Sequence, residues 1–385
     1  MAEEIVRIAA RGDGVTASGR HAAFAVPGDV LEDDGTVTPG PHHQAPPCRH
    51  FPECGGCQMQ HAADDAYAGY VVSRIETALA QHGLATEIHQ PHLSPPNSRR
   101  RATLRALKTA EGVLVGFNAA KSHRIVDMRE NFILRPDLIA LLEPLRELLA
   151  KLLPAKGAAE ISMTVVDQGV DLLLKGVEPE GLAAIEAITE FAHAQELARL
   201  SIDQGLGPEP LFEPQPATVG LAGVPVAFPV GGFLQATADG EAALIKAVRE
   251  AAEGRIADLF AGLGTFALAV KADYAGEASR DAALALRQAG IAAEHRDLYR
   301  RPLDATELSR FDSVILDPPR AGAEEQVRAL AASTVRKIAY VSCNPGTFAR
   351  DAKVLADGGY RLEWIKPVGQ FRWSTHVELA AAFSR

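Results

Sequence analysis

The chain has 385 residues, enough for two or three domains with ample core, and its 47% hydrophobic and 23% charged content is ordinary for a globular protein. No run of about 18 apolar residues predicts a membrane span, and the Met-Ala-Glu-Glu start lacks a signal-peptide layout, so a cytoplasmic protein is expected. The net charge of −10 argues against indiscriminate nucleic-acid binding but leaves room for a local basic patch.

Residues 1–46 read as short strands broken by turns, with Val6, Ile8 and Ala10 alternating and Gly12-Asp13-Gly14 and Pro27-Gly28-Asp29 as turn signals. Three of the four cysteines then crowd into Cys48…Cys54-Gly55-Gly56-Cys57. In a chain without secretory features this spacing points to metal rather than to disulfides, because the glycines let the backbone wrap until neighbouring thiolates converge. An iron–sulfur cluster or a structural zinc would use it, with no metal as the remaining reading, and a four-cysteine cluster needs another ligand. The only other cysteine is Cys343.

The apolar stripe Tyr67, Tyr70, Val71, Ile75 and Leu79 predicts a helix over 64–83. Between 97 and 124 lie Arg99, Arg100, Arg101, Arg105, Lys108, Lys121 and Arg124, opposed only by Glu111. That excess suits either the solvated surface of a β-hairpin or a contact with a phosphate backbone. Helices over 137–153 and 180–199 surround strands near 160–166 and 170–175.

From about residue 225 the pattern changes to alternating strands and helices. A helix is predicted over 239–252, strand–glycine loop–helix over 255–266, and further elements at 272–276, 281–289, 291–295, 312–316, 324–333, 337–342 and 348–357. Paired strands near 360–366 and 376–383 close the series. This rhythm predicts an open, mostly parallel sheet with helices on both faces, finishing in an antiparallel hairpin. Ligands of such sheets sit beyond the carboxyl ends of the strands. Gly262 and Gly264 would let the backbone approach a ligand there, and Asp258, Glu277, Asp297 and Asp317 place an acid at four successive strand tips. Each acid alone could be a helix cap. Together they suit an adenosine and an ammonium group better than a pyrophosphate.

One stretch stands out, Val341-Ser342-Cys343-Asn344-Pro345. A cysteine at a strand tip before a turn-forming Asn-Pro is either a small buried hydrophobe or a nucleophile.

The anchors Cys48…Cys54-Gly-Gly-Cys57…Gln60-His61, Phe233-Leu-Gln235, Asp258-Leu-Phe-Ala-Gly-Leu-Gly-Thr-Phe266, Asp317-Pro-Pro-Arg320, Ser342-Cys-Asn-Pro345 and His376-Val-Glu378 run along almost the whole chain. With them the sequence resembles the RNA 5-methyluridine methyltransferases, and its cysteine motif resembles the iron–sulfur-containing 23S ribosomal RNA branch. The resemblance implies an α/β fold with a C-terminal Rossmann-like class I methyltransferase domain (216–385). It also implies a shortened N-terminal RNA-binding β-barrel (1–46) and an α+β central domain (47–215) carrying the cysteine motif and the basic stretch. S-adenosylmethionine would be held by Gln235, Asp258, Phe260, Gly262, Gly264, Thr265, Glu277, Asp297 and Asp317. A 4Fe–4S cluster would be held by Cys48, Cys54 and Cys57, and RNA by Arg99, Arg100, Arg101, Arg105, Lys121 and Arg124. A monomer is expected. The sequence departs from the family in two places. Asn131 stands where the fourth cluster cysteine belongs, and Ala261 and Thr265 replace the commoner Cys and Asn in the glycine loop.

The implied chemistry follows from uracil itself, whose C5 is too weak a nucleophile to attack a sulfonium methyl unaided. Cys343 adding at C6 would activate C5, and Glu378 would then remove the C5 proton. Three other readings share parts of the pattern. A transfer RNA enzyme would use the same chemistry, whereas a non-catalytic RNA-binding factor would need neither Cys343 nor Glu378. A DNA cytosine-5 methyltransferase would carry its cysteine in a Pro-Cys context that is absent here.

Overall fold

A computed structural model describes all 385 residues. The C-terminal half is built on a nine-stranded sheet. Its order is Ala293–His295, Tyr274–Glu277, Ile256–Leu259, Ser313–Leu316, Lys337–Ser342, Glu378–Ser384 and Arg361–Gly369, with the short strands Glu87–Ile88 and His92–Leu93 on the far edge. The first five strands are parallel, and Glu378–Ser384 runs antiparallel between Lys337–Ser342 and Arg361–Gly369. This is the doubly wound sheet with a terminal hairpin that the sequence rhythm predicts.

Strand periodicity sorts the core. Ala257, Leu259, Val314, Leu316, Ile338 and Tyr340 point into one apolar layer, and Ile256, Ile315, Ala339 and Val341 into the other. Helices Glu324–Ala331 and Pro345–Asp357 cover the first face, while Ala238–Ala251, Thr265–Val270 and Arg280–Gln288 cover the second.

A further helix, Asp64–Gln81, lies on the first face, and its stripe Tyr67, Tyr70, Val71, Ile75 and Leu79 is buried among catalytic-sheet residues. The Tyr67 hydroxyl donates to the carbonyls of Phe371 and Ser374 (3.0 and 3.2 Å). Residues 64–93 therefore belong to the packing unit of the C-terminal sheet, although the sequence groups them with a central domain over 47–215. The apolar stripe is legible in the sequence; the distant surface that buries it is not.

The central sheet has six strands, in the order Pro208–Phe212, Arg199–Asp203, Gly169–Lys175, Ala158–Val166, Arg101–Lys108 and Val113–Gly116. Helices Leu142–Leu152 and Gly181–Ala194 pack on one face. A hairpin, Thr218–Leu221 with Val224–Ala227, follows; these strands are too short to read from periodicity. The N-terminal region forms a five-stranded sheet, His21–Ala22, Gly14–Thr16, Glu3–Ile8, Val30–Leu31 and Val37–Thr38, around a small core of Ile5, Ala22, Ala25 and Leu31. No helix of the chain is long and apolar enough to cross a membrane.

Candidate active site

Strand order in the large sheet reverses between Ile256–Leu259 and Ser313–Leu316, and the crevice at their carboxyl ends is where such sheets take ligands. The glycine loop leaves the first of these strands, and Asp317-Pro318-Pro319-Arg320 leaves the second.

The loop is built as a cradle. Phe260 and Gly262 both adopt left-handed backbone (φ 64° and 55°), and a Cβ at Gly262 would meet nothing within 4 Å, so that position faces open space. Gly264 has φ 93°, and a Cβ there would come within 2.3 Å of Leu286. The left-handed backbone and the Leu286 methyl make any side chain there strained. Glu277, at the next strand tip, fixes the loop by accepting from the Gly262 N–H (2.8 Å) and the Ser279 N–H (2.6 Å). Asp297 is half-exposed and accepts from the N–H groups of Tyr299 and Arg300 (3.0 and 3.3 Å), while the Tyr299 ring lies 5.4 Å from that of Phe260. Thr265 opens the short helix behind the loop. Glu277 thus ties the loop to the neighbouring strand tip, with Asp297 and the Phe260–Tyr299 ring pair at the same end of the sheet.

Asp258 departs from expectation. It is 0% exposed, turned into the layer beneath the helix Thr265–Val270, and neither carboxyl oxygen reaches hydrogen-bond geometry, the Ala267 N–H included. It supports the loop from below and offers no surface to a ligand. Burial pushes its carboxyl up to about 8. The folded state therefore holds a proton that the unfolded chain loses from about pH 4 upward, so stability falls as pH rises from there to about 8. Asp258→Asn should flatten that decline and raise the melting temperature above wild type at pH 8, measured by thermal unfolding across the range.

The reacting end is assembled from four strand tips. Cys343 is half-buried directly after Lys337–Ser342. The Ser342 hydroxyl accepts from the Asn344 N–H (3.2 Å), and Asn344 caps the following helix through Gly346 N–H (3.1 Å) while its amide donates to the Arg320 carbonyl (3.0 Å). These bonds hold the cysteine between the helix start and the Asp-Pro-Pro-Arg loop. Burial first, then the carboxylates of Glu378 and Asp317, push the Cys343 thiol up, while Arg320 pulls it down. At rest the sulfur is a thiol.

Glu378 is buried at the start of its strand, and burial pushes it up to about 7 against the pull of Gln370, Arg101 and Arg99. Asp317 is raised well above the usual carboxylate range by burial and by Glu378 and Asp258. The Gln235 side-chain oxygen accepts from the Gln370 amide (2.8 Å), and the same amide donates to Glu378. Gln370 went unnoticed in the sequence. It sits two residues past Val368, the partner of Glu378 in the hairpin, and hairpin register alone could have found it.

The basic stretch divides by strand periodicity. Arg99 and Arg101 turn toward Glu378, with the Arg101 guanidinium 4.4 Å above the exposed Phe233 ring and Arg99 5.0 Å above Phe371. Arg100 turns the other way. Its guanidinium pairs with Glu241 (2.6 Å) and donates to the Gln235 carbonyl (3.0 Å), both shielded, so Arg100 ties the central sheet to the catalytic unit and is not free for RNA. Arg105 and Lys121 line an open cavity of about 640 Å³ with Arg11, Gln58 and Thr375, reaching from the N-terminal sheet to the terminal hairpin. Arg124 pairs with Glu53 at the surface.

The tRNA (uracil-5-)-methyltransferase family profile matches residues 277–385. An uncharacterized RNA methyltransferase of Zymomonas mobilis is 49% identical over the whole of both chains. The 23S rRNA (uracil(1939)-C(5))-methyltransferase RlmD of Pectobacterium atrosepticum is 30% identical over 90% of this chain and 81% of its own. The chain belongs to the RNA uracil-5-methyltransferase family. The tRNA (uracil-54, C5)-methyltransferase of Pyrococcus abyssi, solved with S-adenosyl-L-homocysteine, has the same fold, with a TM-score of 0.78 over 100% of this chain and 99% of that one at 22% identity. As a uracil-5-methyltransferase the enzyme uses S-adenosylmethionine.

The cysteine motif fits its expected occupant poorly. Cys48, Cys54 and Cys57 line one cavity with Asn131, but it has room for little more than a water molecule, about 10 Å³. Burial pushes all three thiols up, Cys57 to about 11. No three His, Cys, Asp or Glu side chains group closely enough to hold a metal ion. The Asn131 oxygen already accepts from the N–H groups of Ile133 and Leu134 (2.8 and 2.9 Å), and its amide faces the Met128 sulfur. It serves as a turn anchor, and the fourth corner of a cluster is missing. The expected iron–sulfur cluster is therefore not supported.

Proposed function

We propose that the enzyme methylates uracil C5 in 23S ribosomal RNA through a covalent bond from Cys343 to C6. The observation that carries this reading is the convergence of Cys343, Glu378 and Asp317 at one crevice beside the glycine cradle. The Cys343 thiol gives up its proton to solvent as substrate enters, and its sulfur bonds to C6 while the C5–C6 electron pair moves onto C5 and O4. S-adenosylmethionine supplies the electrophilic methyl. The Glu378 carboxylate then takes the proton from C5, the electron pair re-forms the C5–C6 double bond, and the thiolate leaves and regains its proton.

The target uracil must leave its stack to reach this crevice, which favours a single-stranded loop or bulge. The exposed Phe233 face beneath Arg101 suits stacking of a base, and the cavity lined by Arg11, Arg105 and Lys121 suits flanking phosphates. Ribosomal RNA is favoured by the 30% identical relative. The test is mass spectrometry of ribosomal and transfer RNA from cells with and without the gene. Loss of a 5-methyluridine from 23S rRNA is expected. Loss from transfer RNA alone would move the substrate to that class, and no loss from either would overturn the proposal.

A further inference from the structure

Gln370 has every polar atom of its side chain committed, and the commitments fix which way its amide faces. Its oxygen accepts from the N–H groups of Ala236 and Thr237 (2.8 and 3.3 Å). With the oxygen pinned by two donors, the nitrogen can only face the other way. There its two hydrogens go to the Gln235 oxygen (2.8 Å) and to Glu378 Oε2. Glu378 Oε1 accepts no hydrogen bond from the protein. The socket is rigid: Gln370 is 1% exposed, and a Cβ on Gly240 would fall 2.8 Å from its own Cβ. Thr237 and Ser94, joined by their hydroxyls (2.8 Å), brace the backbone that holds the Gln370 oxygen.

We propose that Gln370 is a positioning residue that fixes the Glu378 carboxylate through one oxygen and reserves the other for the substrate proton, while orienting Gln235 on the same amide. It does not touch the reacting atoms, and the inference rests on Glu378 being the base. An amide donor also favours a carboxylate over a carboxylic acid. Without it Glu378 would lose both its orientation and part of its ionised population at neutral pH.

The test follows single-turnover breakdown of the methylated protein–RNA adduct as a function of pH, on the full chain with an RNA substrate. Gln370→Met keeps the length and removes the donor. It should slow breakdown about tenfold at pH 7 and move the acid limb of the profile up by about one unit, leaving adduct formation near wild type. Gln370→Glu keeps an acceptor for Ala236 and Thr237 but sets a second carboxylate against Glu378, and the limb should move further in the same direction. Circular dichroism and thermal unfolding verify that each variant is folded. Glu378→Gln run alongside separates the two ideas. If it stalls breakdown while Gln370→Met keeps the wild-type profile, the Gln370 role is overturned and the base stands. If Glu378→Gln does not stall breakdown, the base assignment falls and takes this inference with it. Equal losses in formation and breakdown with no pH shift would mark Gln370 as merely structural.

Discussion

Cys343→Ala should abolish methylation while leaving S-adenosylmethionine affinity almost unchanged. The sulfur is the one group at this crevice able to add to C6, so the loss should reach roughly four orders of magnitude or more, the scale on which removal of an essential nucleophile registers. The change is a small truncation at a strand tip whose geometry is set by neighbours. Ser342, Asn344 and the Arg320 carbonyl hold the loop through bonds that alanine leaves intact. The cofactor cradle is anchored separately, by Glu277 on Gly262. Isothermal titration with S-adenosylmethionine and a tritiated-methyl transfer assay would read the two properties independently. Turnover retained at even a tenth of wild type would remove Cys343 as the nucleophile.

Glu378→Gln should halt the cycle later. Addition and methyl transfer need only the sulfur and the cofactor, so the variant should accumulate a covalent RNA adduct visible as a shifted band on a denaturing gel. Product release should fall about 10² to 10⁴-fold. The pH dependence has a definite sign. Because burial pushes Glu378 up to about 7, wild-type release should rise with pH, bend near 7 and then level off. Below the bend the base is protonated, and each unit of pH removes about tenfold. A variant that turns over normally, or a wild-type profile flat down to pH 5, would exclude Glu378 as the base.

Much of this site was legible in the sequence because its chemistry is concentrated at strand tips. Cys343, Asp317, Glu277 and Asp297 each follow a recognisable apolar run, and a parallel sheet brings all such tips to one edge. What escaped depends on contacts that local pattern does not encode. Arg99, Arg100 and Arg101 are three identical letters, and only the strand geometry turns the middle one away to Glu241. Asp258 has the position of a cofactor ligand, yet its strand points it into the layer beneath the loop. Gln370 becomes visible only when the register Val368–Glu378 is known. Asn131 shows the reverse: the departure from the family's cysteine was plain in the sequence, but its two turn-forming hydrogen bonds were not.

The strand Glu378–Ser384 is the wedge of the sheet, paired on both sides, and the helix Asp64–Gln81 bonds to carbonyls about 300 residues away in the chain. A ribosome releases these partners at opposite ends of synthesis. The early helix must therefore wait, with its tyrosines uncovered, until the last strand has emerged, and closures over such separations are slow. The same event brings Glu378 against Gln370.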